Sequence, residues 1–207
     1  EQMVRVLAPM NYRTTSDPDK ADLILVNTCS IREKAEHKVY SHLGRLARVK
    51  GKKPGLIIGV GGCVAQQEGK RLLERAAHVD LVFGTFAVGR LPALIRQVIE
   101  EKQRIVDVDQ ERTGEPLVTR PLNFQEDLAT AFVTIMSGCG NFCTYCVVPY
   151  VRGREISREP QGILEEIHHL VAKGVKEIIL LGQNVNSYGL NNGHGFDFPA
   201  WCPCIVE

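Results

Sequence analysis

The chain has 207 residues, 44% hydrophobic and 24% charged, a globular composition with enough length for one or two domains. A folded chain of this size buries roughly 70% of the surface its unfolded form exposes, which excludes global disorder, a collagen repeat or a coiled coil. With 25 Lys+Arg against 24 Asp+Glu the formal charge is +1, so any contact with a polyanion must come from a local patch. No apolar run approaches the roughly 18 to 20 residues that span a bilayer, so no membrane partner is expected. The opening stretch, from Glu1, has no charged segment leading into an apolar one, and no signal peptide is read there. Seven cysteines, an odd number at uneven spacings, suit metal chemistry in a reducing compartment, the cytoplasm, better than a disulfide framework.

The first predicted element is Ala21 to Asn27, a short apolar run of the kind buried on both faces of a parallel sheet, ending at Thr28 and Cys29. Ser30 followed by Glu33 is a capping-box pattern, and Ile31, Ala35, Val39, Leu43 and Leu46 recur at helical spacing up to Gly51 and Pro54. Leu56 to Val60 predicts the next strand, with Gly61, Gly62 and Cys63 at its exit, and a helix follows from about Ala65 to Ala77. Val79 to Phe83 and Val88 to Glu100 add a third strand and helix. This βαβαβα order gives a parallel sheet whose sites lie outside the carboxyl ends of its strands, where Cys29 and Cys63 both stand. From Val106 to Leu128 the sequence turns polar and loses its period, and reads as a linker. A second unit has a strand Ala131 to Met136, a cysteine-rich loop, a helix Pro160 to Lys173 closed by Gly174, and a strand Val175 to Leu181.

Cys139, Cys143 and Cys146 form C-x3-C-x2-C on the loop after that strand. Three thiolates so spaced can hold three irons of a 4Fe-4S cluster and leave the fourth iron open. Zinc is the first alternative, but needs a fourth protein ligand that no following His or Cys supplies at the right distance. A redox dithiol of Cys143 and Cys146 leaves Cys139 unexplained. Cys29 and Cys63, read alone, are two buried small hydrophobes. Gly59, Gly61 and Gly62 lack the third glycine of a dinucleotide fingerprint, since Val64 stands there, and read as a tight turn. Arg152, Arg154 and Arg158 could hold RNA phosphates or a cofactor carboxylate, or form a solvated loop face. Lys50, Lys52 and Lys53 read as an exposed turn with a minor part in RNA steering. Cys202 and Cys204 carry no assigned role.

The C-x3-C-x2-C loop after a strand resembles that of the radical S-adenosylmethionine enzymes. Asn27-Thr-Cys-Ser-Ile-Arg-Glu-Lys-Ala35, Gly59-Val-Gly-Gly-Cys63, Cys143-Thr-Tyr-Cys-Val-Val-Pro-Tyr150 with Arg152-Gly-Arg-Glu155, and Leu181-Gly-Gln-Asn-Val-Asn186 narrow the likeness. Together they are similar to the methylthiotransferase family of the MiaB type, in the right order up to about Asn186. The resemblance implies an α/β chain: a flavodoxin-like parallel-sheet methylthiotransferase domain (1–104), a linker (105–128), and the first βαβ part of an incomplete (βα) radical barrel (129–207). It also implies two 4Fe-4S clusters and S-adenosyl-L-methionine as cofactors. The auxiliary cluster would use Cys29 and Cys63 and be under-ligated, its third cysteine being expected before Glu1, so that the chain reads as a fragment truncated at both ends. Cys139, Cys143 and Cys146 would be catalytic ligands, with Tyr145 beside the adenine of the cofactor and Gln183 and Asn184 at its methionine moiety. For Tyr145 the competing reading is core packing, and for Gln183 and Asn184 a strand-terminating turn.

The implied activity is tRNA methylthiolation at carbon 2 of an isopentenylated adenosine next to the anticodon. Two S-adenosylmethionine molecules are used and the auxiliary cluster is the sulfur source, with Arg152 and Arg154 on the substrate. The implied partners are tRNA and an electron donor such as flavodoxin or ferredoxin, with the chain a monomer. A methylthiotransferase for another modified adenosine or for a ribosomal protein is the nearest alternative, against which the Asn27 to Ala35 block argues. An inactive fragment that serves only as a metal- or RNA-binding module is the alternative from another class.

Overall fold

The computed structural model describes residues 2–30, 33–109 and 129–190, excepting the side chains of 33–37. The chain divides into two compact units, Glu1–Glu115 and Pro116–Glu207. Ile31, positions 110–128 of the expected linker, and Cys202 and Cys204 lie outside the described residues.

The first unit opens with a short helix α1 (Gln2–Leu7) that no periodicity announced. Its sheet comprises β1 (Leu23–Thr28), β2 (Ile57–Gly62), β3 (Leu81–Phe83) and β4 (Ile105–Asp107), in that spatial order and all parallel. The helices between them are α2 (Glu33–Lys52), α3 (Cys63–Glu68), α4 (Lys70–Arg75) and α5 (Leu91–Glu101). The continuous apolar runs become strands because helices and sheet bury them together: Ile58, Val60 and Val82 are fully enclosed, against Leu43 and Leu46 of α2 and Leu72 of α4.

Four details differ from the sequence reading. The polar stretch expected to be linker from residue 105 begins with strand β4, which Asp107 fixes by accepting two 2.8 Å hydrogen bonds from Arg90. The helix expected over Ala65 to Ala77 is broken at Gly69, whose φ of +49° is outside helical backbone. The capping box is not closed on its serine side, since α2 begins at Glu33 and the buried Ser30 Oγ makes no hydrogen bond. Lys50 and Lys53 are also anchored rather than free in an exposed turn. Lys50 pairs with Asp80, and Lys53 Nζ donates to the Ala21 carbonyl at 2.9 Å and lies 2.8 Å from Asp22.

The second unit pairs β5 (Thr130–Thr134) with β8 (Glu177–Leu181) in parallel, Phe132 opposite Ile179 and Thr134 opposite Leu181. The crossover between them carries β6 (Met136–Ser137), α6 (Val148–Arg152), β7 (Ile156–Ser157) and α7 (Pro160–Ala172), with β6 and β7 antiparallel. Ala131 and Val133 of β5 pack with Ile163, Ile167 and Leu170 of α7, which gives this half of the sheet its core.

Candidate metal and cofactor sites

In the first unit the register sets the site. Thr28 stands level with Gly62 across β1 and β2, so Cys29 and Cys63 leave the carboxyl ends of neighbouring strands as the next residues of each. Thr28 ties the two exits together: its buried Oγ1 donates to the Gly61 carbonyl at 2.7 Å and accepts from Ala65 N at 3.3 Å. The glycines are required by contact. A Cβ on Gly61 would come within 2.3 Å of the Phe83 ring, and Gly62, at φ +96°, would drive one to 2.3 Å from the Thr28 carbonyl. Gly59 and Gly61 are therefore strand residues packed close to β3 rather than part of a tight turn, and only Gly62, with its positive φ, makes the sharp passage from β2 into α3. Cys29 is an exposed free thiol and Cys63 is buried. Gln66, unnoticed in the sequence, spans the same end of the sheet: Nε2 donates to the Val108 carbonyl at 2.7 Å and Oε1 accepts from Thr85 N at 3.1 Å.

In the second unit the three cysteines follow β6 on one loop. Gly138, at φ +78°, admits the returning chain so closely that a Cβ would lie 2.0 Å from the Arg154 carbonyl. Cys139 N donates to the Gly153 carbonyl at 3.2 Å, and a turn from Cys146 N to the Cys143 carbonyl at 2.9 Å joins the other two. All three are free thiols, Cys143 exposed and the others half-buried. Among the described residues no three His, Cys, Asp or Glu side chains are gathered as a ready ligand set. The donors still fit an iron–sulfur group: thiols alone, unpaired, on one accessible loop, a set that metal itself draws together.

Around that loop the side chains separate into exposed and structural ones. Tyr145 is 92% exposed, which removes core packing as its role. Phe142, held at φ +46°, meets Tyr150 edge to face with centroids 6.0 Å apart, and both rings are largely open to solvent. Arg152 ends α6 half-buried and Arg154 is exposed. Arg158, by contrast, is no phosphate ligand. Its Nη1 lies 2.8 Å from Glu166 of α7 and donates to the Thr134 carbonyl, with 9% of the side chain exposed against 4% for Glu166. Such a buried cation is held by its carboxylate and is not available to RNA.

Gln183 and Asn184 follow β8, where Gly182 packs on Met136, two residues before Gly138, so tightly that a Cβ would lie 2.5 Å from its side chain. Gln183 Oε1 is buried and accepts no hydrogen bond, an orphaned acceptor of the kind a ligand satisfies. The turn beyond it is strapped to the return of the cysteine loop. Ser187 Oγ donates to Glu155, Gly189 N to Ser157 Oγ at 3.0 Å, and the buried Tyr188 hydroxyl to the Arg158 carbonyl at 2.7 Å. Burial foremost, with Glu159 nearby, pushes the Tyr188 hydroxyl up to about 12.

Comparison with known proteins bears on both sites. The profile of the Uncharacterized protein family UPF0004 matches residues 1–84, and that of the Radical SAM superfamily residues 133–192. The tRNA-2-methylthio-N(6)-dimethylallyladenosine synthases of Geobacter sulfurreducens and Desulfosudis oleivorans are each 52% identical, over 100% and 93% of this chain. Over nearly its whole length the chain is similar to these methylthiotransferases. It spans less than half the length of those relatives, 46% and 41% of each. The solved structure of the radical S-adenosylmethionine methyltransferase TsrM from Kitasatospora setae has a TM-score of 0.52 over 90% of this chain and 40% of that one. At 15% identity that likeness is one of fold. No helix among the described residues is long and apolar enough to cross a membrane.

Proposed function

We propose that this chain carries the cluster- and cofactor-binding parts of a cytoplasmic tRNA methylthiotransferase, which places a methylthio group on carbon 2 of an isopentenylated adenosine beside the anticodon. The observation that carries the reading is the placing of the cysteines: Cys29 and Cys63 stand just beyond the carboxyl ends of two neighbouring parallel strands, and Cys139, Cys143 and Cys146 share one loop in the crossover between the parallel strands β5 and β8. In this reading residues 1–104 are the methylthiotransferase domain and residues 129–207 the first part of the radical barrel. Cys139, Cys143 and Cys146 would hold one 4Fe-4S cluster, and Cys29 and Cys63 would give two ligands to the auxiliary one. When bound, these groups supply the electron that cleaves S-adenosylmethionine and the sulfur that is transferred.

The protein's own part is to orient and to shield. The buried, unsatisfied Gln183 Oε1 would accept a hydrogen bond from the amino group of the cofactor's methionine moiety, with Asn184 as the second residue of that subsite. The open Tyr145 ring offers its face to the adenine. Arg152 and Arg154 present guanidinium groups to phosphates of the tRNA. The Phe142 and Tyr150 rings flank the loop and keep water from it once substrate covers them. A small redox protein, a flavodoxin or ferredoxin, delivers electrons to a monomer.

Anaerobic reconstitution with iron and sulfide, followed by measurement of 5′-deoxyadenosine formed from S-adenosylmethionine, tests the reading. Cys143→Ala should remove both that product and the cluster absorbance of the second unit. A purified chain holding stoichiometric zinc that iron never displaces would overturn it.

A further inference from the structure

Helix α2 has a face that the core does not explain. Val39, Leu43 and Leu46 point into the first unit and are buried. On the opposite side Lys38, Ser41, Arg45, Arg48 and Lys52 are all exposed. Their spacing of three, four, three and four residues places them within about an 80° arc of the helix surface, in a row roughly 21 Å long from Lys38 to Lys52. No carboxylate occurs in α2 after Glu36. None of the four cations is paired with an acid among the described residues, and Arg45 Nη2 lies 3.4 Å from His42 Nδ1. Lys50 and Lys53, just off the row, have their carboxylates in Asp80 and Asp22. The ridge is therefore a set of cations without carboxylate partners among the described residues.

A second observation lies along its flank. Gly44 and Gly51 are exposed, next to Arg48 on the helix surface, and a Cβ on either would meet nothing within 4 Å. Glycine within a helix costs about 0.5 to 1 kcal/mol relative to alanine, and nothing inside this unit requires it there. Both residues leave the helix backbone open to close approach from outside. The face also carries no exposed large apolar side chain, so it has nothing to insert into a lipid surface. A straight row of cations beside a bare strip of backbone matches a string of phosphates. The row belongs to the helix that begins four residues after Cys29, so a nucleic acid lying on it would run away from the cysteine end of the sheet.

We propose that this ridge of α2 seats the phosphate backbone of a structured RNA, with Lys38, Arg45, Arg48 and Lys52 each taking a phosphate and Gly44 and Gly51 giving the strand clearance. The proposal rests on the tRNA reading above and assigns the part of the first unit that would hold the arm of the tRNA.

Binding of the whole chain to unmodified tRNA, followed by fluorescence anisotropy between 50 and 200 mM salt, tests it. Each phosphate contact accounts for about a threefold fall in affinity over that range, and four for roughly a hundredfold. Each single change among Lys38→Gln, Arg45→Gln, Arg48→Gln and Lys52→Gln should reduce the salt slope by about one, and the fourfold variant by about four. Lys102→Gln, outside the ridge at the end of α5, should leave it unchanged. Gly44→Ala should raise the thermal midpoint, whereas Gly44→Gln should fold as the parent does and bind tRNA more weakly. A fourfold variant that keeps the parent's slope while the parent binds tRNA overturns the ridge and leaves the tRNA reading standing. A parent chain that does not bind tRNA, yet gains a ridge-dependent signal with polyglutamate, overturns both in favour of an acidic protein partner.

Discussion

Thr28 is the hinge on which the first cysteine site turns, and its replacement by valine isolates what the hydroxyl does. Valine keeps the volume and the β-branch that suit a strand end. It removes the donor to the Gly61 carbonyl and the acceptor for Ala65 N. Thr28 is 5% exposed, so water does not take over either contact. Leaving buried groups unsatisfied costs about 1 to 3 kcal/mol each; the 2.7 Å bond is the stronger and the 3.3 Å one near its limit, giving about 2 to 3 kcal/mol in all for Thr28→Val. Thr28→Ser keeps both bonds and loses one methyl group, about 1 kcal/mol. In urea, with a dependence of about 1 to 3 kcal/mol per molar, the valine variant's midpoint should fall by about 1 to 2 M, and the serine variant's by less than half that. The buried Cys63 thiol should react faster with a thiol reagent in the valine variant, since the turn before α3 is no longer tied to β1. A valine variant with the parent's midpoint and the parent's Cys63 reactivity would refute the argument, and the register of the two cysteines would then depend on sheet pairing alone.

Other perturbations read different parts of the molecule. Glu166→Ala leaves the Arg158 guanidinium buried without its carboxylate and should cost the second unit about 3 to 5 kcal/mol in thermal or urea unfolding, with Glu166→Gln in between. Gly62→Ala forces a side chain onto a φ of +96° and against the Thr28 carbonyl, and should destabilise by more than the 1 to 2 kcal/mol of left-handed backbone alone, whereas Gly51→Ala, with open space around it, should be neutral or stabilising. The Tyr188 hydroxyl, raised from 10 to about 12, favours the folded state fully below pH 10, and that contribution should be lost as pH climbs from 10 towards 12, by about 2 to 3 kcal/mol at most. Tyr188→Phe should flatten the stability of the second unit over that window.

Much of the fold was written in the chain because buried parallel strands are continuous apolar runs and the helices between them have a clear period. The strands at Ala21 to Asn27, Leu56 to Val60 and Val175 to Leu181 were legible for that reason. β4 was not: three residues with one acid carry no period, and what fixes Ile105–Asp107 is an arginine seventeen positions before Asp107, just ahead of α5. The three cysteines of the second unit were legible from spacing, since a loop can bring neighbours in sequence together on its own. Cys29 and Cys63 needed the register of two strands, a property of pairing that no single segment carries. The arginines make the sharpest contrast. Arg152, Arg154 and Arg158 look alike in sequence, within seven residues just after the cysteine loop, yet their environments diverge at β7. Once Ser157 is buried and bound by Gly189 N, Arg158 N is committed to the Ile135 carbonyl and its side chain reaches Glu166, eight residues on and in the second turn of α7. Arg154, ahead of that strand, has its carbonyl pressed against Gly138 and its side chain in solvent. A guanidinium is free to bind a phosphate only where the fold offers it no carboxylate, and that test separates Arg154 from Arg158 as it separates the α2 ridge from Lys50 and Lys53.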